Sequence, residues 1–189
     1  MKRLNIVLLA VALMCSASIT MAQTTAKELK KAERAEKKKA REQQYSENKE
    51  GFLELLNDKS FTIKATTLQS RNSFTYNVTP ITNFIKVEGD EVTVQTAGGM
   101  HPGYNGLGGL TINGRITKYE VTEESDSHSI NATIMFNSPV LGHSTMYLSI
   151  QPTGNATARI SDNWGGRITY RGAFEDLSES RVYKGMTII

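Results

Sequence analysis

Residues 130–160, INATIMFNSPVLGHSTMYLSIQPTGNATARI, decide the fold. Ile130, Ala132, Ile134 and Phe136 alternate with more polar neighbours, and the same two-residue beat returns in Met146-Leu148-Ile150 and Ala156-Ala158-Ile160. Such alternation marks strands with one buried face. It also marks antiparallel pairing, because parallel strands covered on both sides read as continuous apolar runs. Pro139 to Gly142 and Pro152 to Gly154 supply turn residues at hairpin spacing between these runs.

Working outward, the beat continues in Ile168-Tyr170-Gly172-Phe174 after a turn at Asp162 to Gly165. Upstream it appears in Phe61-Ile63-Ala65, Ile81-Asn83-Ile85-Val87 and Val92-Val94-Thr96, with a turn at Glu88-Gly89-Asp90. Between the two sets, residues 98–121 form a glycine-dense loop that empties into the longest strand-like run, followed by turn residues at Glu124 to Ser127. The expectation is an all-β domain preceded by a helical leader. About eight strands form an antiparallel meander, whose edges are managed as a curled, partly closed barrel or as a two-sheet sandwich.

The N-terminal segments are of another kind. Residues 1–22 read as a signal peptide, with Lys2 and Arg3, an apolar stretch from Ile6 to Met14, and Thr20-Met21-Ala22 before Gln23. The protein is therefore expected in the periplasm or outside the cell. Cys15 is the one cysteine and leaves with the signal, since Met14 is a poor residue to precede a lipidated cysteine. Residues 23–50 form a basic leader or linker of strong helix formers, with nine Lys/Arg against six Glu and no sustained heptad. It reads as a solvated helix, or as an arm making weak contact with an anionic membrane or cell-wall surface. A short helix after Gly51, carrying Phe52, Leu53, Leu55 and Leu56 and ending near Asn57-Asp58, is expected to pack on a single β-rich domain over residues 51–189. That domain holds eleven Lys/Arg against thirteen Asp/Glu, so it is not built as a nucleic-acid binder.

Several motifs together carry a resemblance. Thr82-Asn83-Phe84-Ile85-Lys86-Val87 is followed by Gly89-Asp90, then by Asn105-Gly106-x-Gly108-Gly109 leading into Gly114-Arg115-Ile116-Thr117. Gly166-Arg167-Ile168-x-Tyr170-x-Gly172 and Tyr183-Lys184-Gly185 complete the series. In that order they resemble an exported Bacteroidetes family known only as DUF4251, a domain of unknown function. The resemblance implies an exported β-rich domain and brings no activity, cofactor or catalytic residue.

Candidate chemistry is sparse. The glycine-dense loop lacks the Gly-Lys-Ser/Thr of a phosphate loop and the strand-to-helix context of a dinucleotide fingerprint. It reads either as a long hairpin connection or as a mobile loop presenting His101, Tyr104 and Asn105 to a ligand. The repeated Gly-Arg-Ile-Thr sends Arg115 and Arg167 outward, and on neighbouring strands these two would share an anion-binding surface. Trp164, the single tryptophan, sits in a hairpin turn, where an indole folds onto the core or, less commonly, stands out for a ligand. His101, His128 and His143 are scattered, no His-x-His or His-x-x-x-His spacing occurs, and no G-x-S-x-G elbow accompanies Ser125, Asp126 and His128. No cofactor, metal or catalytic residue is assigned. The expected function is non-enzymatic binding of a small molecule, a glycan or an envelope protein partner, through His101, Tyr104, Asn105, Arg115, Trp164 and Arg167. The rivals are a small periplasmic hydrolase with a site assembled across strands, and a purely structural envelope protein.

Overall fold

The computed structural model describes residues 2–99, 103–123 and 129–187, with side chains from residue 28 onward. Helix α1 spans Lys2–Asn57, and nine strands follow: β1 Ser60–Ser70, β2 Thr75–Asn77, β3 Phe84–Glu88, β4 Glu91–Gln95, β5 Thr111–Glu123, β6 Ile130–Ser138, β7 Gly142–Ile150, β8 Asn155–Asp162 and β9 Arg167–Asp176. All pairings between strands are antiparallel. The order is sequential except for β2, and β1 pairs with β9, so the sheet closes on itself. The result is an eight-stranded barrel, with β2 as an extra strand on the upper part of β1 beyond the reach of β3. Closure removes the exposed edges that an open meander would leave, and excludes the two-sheet sandwich.

The alternation read from the sequence sets the inside of the barrel. Phe61, Ile63, Ile85, Val87, Ile134 and Phe136 are fully buried, and Tyr170 is buried among the same interior side chains. The described interior is filled by these packed side chains. Gly114 faces Phe136 and makes room for it: a Cβ there would stand 2.6 Å from the ring. Two bulges bend the wall, one at Thr66 opposite β9 and one at Thr117 opposite β6. After the second, Tyr119 and Val121 continue the inward set.

One compact unit covers Met1–Gln44 and a second covers Tyr45–Ile189. In the first, the exposed helix surface carries a Lys37–Glu33 pair at 3.1 Å. In the second, the end of α1 caps the barrel. Leu56 is fully buried, Phe52 meets Phe174 edge-on at 5.4 Å, and the Tyr119 hydroxyl donates to the Leu56 carbonyl at 2.8 Å. No separate helix begins after Gly51. The helix runs through that glycine, because Phe52 to Leu56 and the residues before it share one register, and Asn48 already reaches the Pro152 carbonyl at 2.9 Å. Among the described residues, no helix is long and apolar enough to cross a membrane.

The C-terminal tail, after β9, returns over the outside of β3, β4 and β5. Its Tyr183 N–H donates to the Ile81 carbonyl at 2.9 Å and its Met186 N–H to the Asn105 carbonyl at 3.1 Å. Ile81 lies outside the strand expected there and is half exposed, since β3 begins only at Phe84.

Candidate functional site

At the end of the barrel away from the helix cap, the glycine-dense loop between β4 and β5 prolongs their hairpin instead of hanging free. Thr96 N–H donates to the Leu110 carbonyl, Gly98 to Leu107 and Gly99 to Gly108, at 2.8–2.9 Å. A side chain on Gly109 would strike the Thr96 carbonyl, so the close approach of the two arms requires glycine there.

Asn105 is the nail of this loop. It is 2% exposed. Its Nδ2 donates to the Thr96 carbonyl at 2.8 Å and to the Thr111 hydroxyl at 3.2 Å, while its Oδ1 accepts from Leu107 N at 2.9 Å and Gly109 N at 3.1 Å. The Thr111 hydroxyl in turn donates to Gln95 Oε1 at 2.8 Å. Gln95, fully buried on the outer face of β4, ties the tail: its Oε1 also accepts from Gly185 N at 2.8 Å, and its Nε2 donates to the carbonyls of Tyr183 and Thr82 at 2.8 and 2.9 Å. Buried amides are costly unless fully partnered. Here both are fully used, so the Asn-Gly-x-Gly-Gly and Tyr-Lys-Gly motifs form one latch.

This corrects the expectation for Asn105, whose amide is spent inside the protein and faces no ligand. Tyr104 beside it is 76% exposed. His101 lies outside the described residues, as does the Ser125, Asp126 and His128 cluster. Trp164 does not enter the core: it is 68% exposed and lies over Gly142, where a Cβ would stand 3.0 Å from the indole. The hairpin turn holding it is closed by Asp162, whose Oδ1 accepts from Trp164 N at 2.9 Å and Gly166 N at 2.7 Å. Arg115 and Arg167 do not share a surface. Their strands, β5 and β9, stand four strands apart in either direction around the barrel. Arg115 lies opposite Glu91 on β4, and Arg167 lines a cleft with Arg71. The five of these residues that lie among the described ones, Tyr104, Asn105, Arg115, Trp164 and Arg167, are not brought to one place.

Two features were missed. An open cleft of about 440 Å³ at the loop end is lined by Tyr76, Asn77, Thr79, Asn83, Gly98 and Gly99, among others. Its signal in the sequence was the aromatic pair Phe74 and Tyr76, both exposed, in a segment without a core-facing beat. The second is a set of arginines on β8, β9 and the end of β1, signalled by a run from Ser129 to Phe174 with three arginines, no lysine and a single acid, Asp162.

The displaced titrations lie elsewhere. Lys86 holds Glu88 below the ordinary carboxylate range through a hydrogen bond and its charge, and Lys59 does the same for Asp90. Burial pushes the Tyr119 and Tyr170 phenols well above the ordinary tyrosine range. None of these four lines the cleft. Among the described residues, no group of three or more His, Cys, Asp or Glu stands ready for a metal.

No curated protein matches the chain. The fold does match the crystal structure of a DUF4251 family protein from Bacteroides eggerthii, with a TM-score of 0.55 and 26% identity over 72% of this chain and 90% of that one. The family model for the domain of unknown function DUF4251 covers residues 41–174, a span that includes the glycine loop and every barrel strand but for the last residues of β9. The chain thus belongs to the DUF4251 family.

Proposed function

We propose that this protein is an exported, non-enzymatic binding domain that holds a small polar molecule or a glycan unit in its loop-end cleft. The observation that carries the reading is the contrast between a filled barrel and an open cleft of about 440 Å³ beside it. That volume falls in the ordinary range for ligand sites. The lining offers the Tyr76 ring for stacking, apolar surface from Leu68, Val78 and Ala97, and the Asn77 amide with backbone groups for hydrogen bonds, while the Asn83 amide is engaged by Thr79 and Ala97; the described part carries no carboxylate, imidazole or thiol. Such a surface binds and orients. The helix of residues 30–41, rich in Lys and Arg, adds a weak contact with an anionic envelope surface.

Titration of the protein with neutral trisaccharides of glucose, N-acetylglucosamine and xylose, followed by amide chemical shifts, tests the cleft. Shifts centred on Tyr76, Asn77 and Gly98, abolished by Tyr76→Ala, are expected. Shifts confined to another surface would overturn the assignment, and release of shorter products would put a hydrolase in its place. Export is tested separately: a mature N-terminus at Gln23 in the periplasmic fraction is expected, and an intact Met1 in the cytoplasmic fraction contradicts it.

A further inference from the structure

The outer wall formed by β8, β9 and the end of β1 gathers Arg71, Arg159, Arg167 and Arg171, all exposed. Register places them. Arg159 lies opposite Thr169, and Thr169 is midway between Arg167 and Arg171 on the next strand, so these three form one array along the wall. Its length is roughly 13 Å from the rise of four strand residues. Arg71 extends it at the upper end, lining a cleft of about 190 Å³ with Arg159 and Arg167. Among the described residues none of the four stands in an ion pair; Arg171 donates to Gln69 Oε1, a neutral partner, at 2.9 Å. Asp162, the acid beside Arg71 and Arg167, has Oδ1 engaged by two backbone N–H groups.

The surroundings narrow the ligand. One register row crosses the wall as Thr133, Tyr147, Arg159, Thr169 and Gln69, and the next as Asn131, Ser149, Thr157, Arg171 and Thr67. Hydroxyl and amide groups thus flank the guanidinium groups, and the exposed Tyr147 ring offers a stacking platform beside Arg159. The array is too long for one carboxylate or sulfate to bridge. The domain as a whole, with eleven Lys/Arg against thirteen Asp/Glu, has no field to attract a duplex.

We infer that this wall binds a linear anionic polysaccharide, its carboxylate or sulfate groups taken by the arginine forks and its sugar faces by Tyr147 and the flanking hydroxyls. Arginine suits the task, since its planar fork pairs with both anions in bidentate fashion. The site is separate from the loop-end cleft and stands or falls independently of it.

The test measures binding of the full chain to immobilised polygalacturonate, dextran sulfate and neutral dextran. Binding to one or both charged polymers and none to dextran is expected, and the preferred polymer distinguishes carboxylate from sulfate. The triple variant Arg159→Gln, Arg167→Gln, Arg171→Gln should bind at least about tenfold more weakly, the loss expected from even one charge-assisted hydrogen bond. It should unfold at the wild-type urea midpoint, and Tyr147→Ala should weaken binding without changing its salt dependence. Equal binding by wild type and triple variant overturns the proposal. So does a loss seen instead with Lys37→Gln, Lys38→Gln, Lys39→Gln, which would move the site to the helix. Tighter arginine-dependent binding to single-stranded DNA or to phosphatidylglycerol vesicles would assign the wall to another polyanion and likewise overturn it.

Discussion

The two sides of the barrel wall differ in what their outward side chains are doing. Over β3, β4 and β5 the polar groups are committed: Gln95 and Thr111 lie buried under the C-terminal tail, and Lys86 and Lys118 pair with Glu88 and Glu120 at 2.7 and 2.8 Å. Over β8, β9 and the end of β1 the arginines are exposed, with Asp162 the acid beside Arg71 and Arg167 and no ion pair to any of the four among the described residues. Both sides obey the same alternation inward. The difference teaches that the period of two reports what a strand buries, while the use of its other face depends on which distant residues come to cover it.

The largest effect should come from the covered side. Gln95→Ala leaves groups of the tail, of Thr111 and of the Thr82 carbonyl without partners, at about 1–3 kcal/mol for each buried orphan. A total loss above about 3 kcal/mol in urea unfolding is expected, with fast amide exchange at Gly185. A fully stable variant with a protected Gly185 amide would mean that the latch is ornamental. Next is Gly185→Ala, whose Cβ would stand 2.7 Å from the Asn105 carbonyl oxygen. It should cost about 1–3 kcal/mol by overpacking, while the same change at Gly51, which has open space around it, should be neutral or stabilising.

A third experiment probes the tie between the two sides. The Tyr170 hydroxyl on β9 donates across the interior to the Gln95 carbonyl at 3.2 Å. Burial raises the Tyr170 pKa above its ordinary value of 10.0, so the folded state holds its proton more tightly than the unfolded chain does. Its stabilising contribution is whole below pH 10 and is lost as pH rises beyond that value. The urea midpoint should therefore be flat up to about pH 10 and fall above it, less steeply in Tyr170→Phe, where Tyr119 alone remains. A midpoint unchanged by strong alkali would refute the buried phenol.

The smallest effect belongs to the bare side. Arg159→Ala should alter stability by no more than about 0.5 kcal/mol, as for exposed surface positions. A larger loss would show that the wall is structural and would remove the contrast between the two sides.

The strands were legible because each inward residue announces itself locally: Ile130 to Phe136 could be placed without knowing any partner. The choice of a closed barrel over a two-sheet sandwich was not, since the pairing of Phe61 with Asp176 is a long-range fact that neither segment encodes alone. The same limit hid the site. Asn105 looked like a ligand contact because glycine-rich surroundings are shared by binding loops and tight internal locks, and only the positions of Gln95, Thr111 and Gly185 distinguish them. Arg115 and Arg167 carry identical local motifs, yet Gly114 makes room inside the barrel while Gly166 fits a turn around the Asp162 carboxylate. Trp164 was misjudged for lack of its neighbour, Gly142. The arginine wall was readable, but as three arginines against one acid over 46 residues and not as a motif.

Closure between the first and last barrel strands has a consequence for how the chain is made. A polypeptide emerging N-terminus first holds β1 without its longest partner until β9 has appeared, and the tail that seals β4 arrives later still. Contacts of such sequence separation form late and slowly. The finished barrel is thus withheld until β9 and the tail have both been made, and the chain before them stays pliable in the meantime.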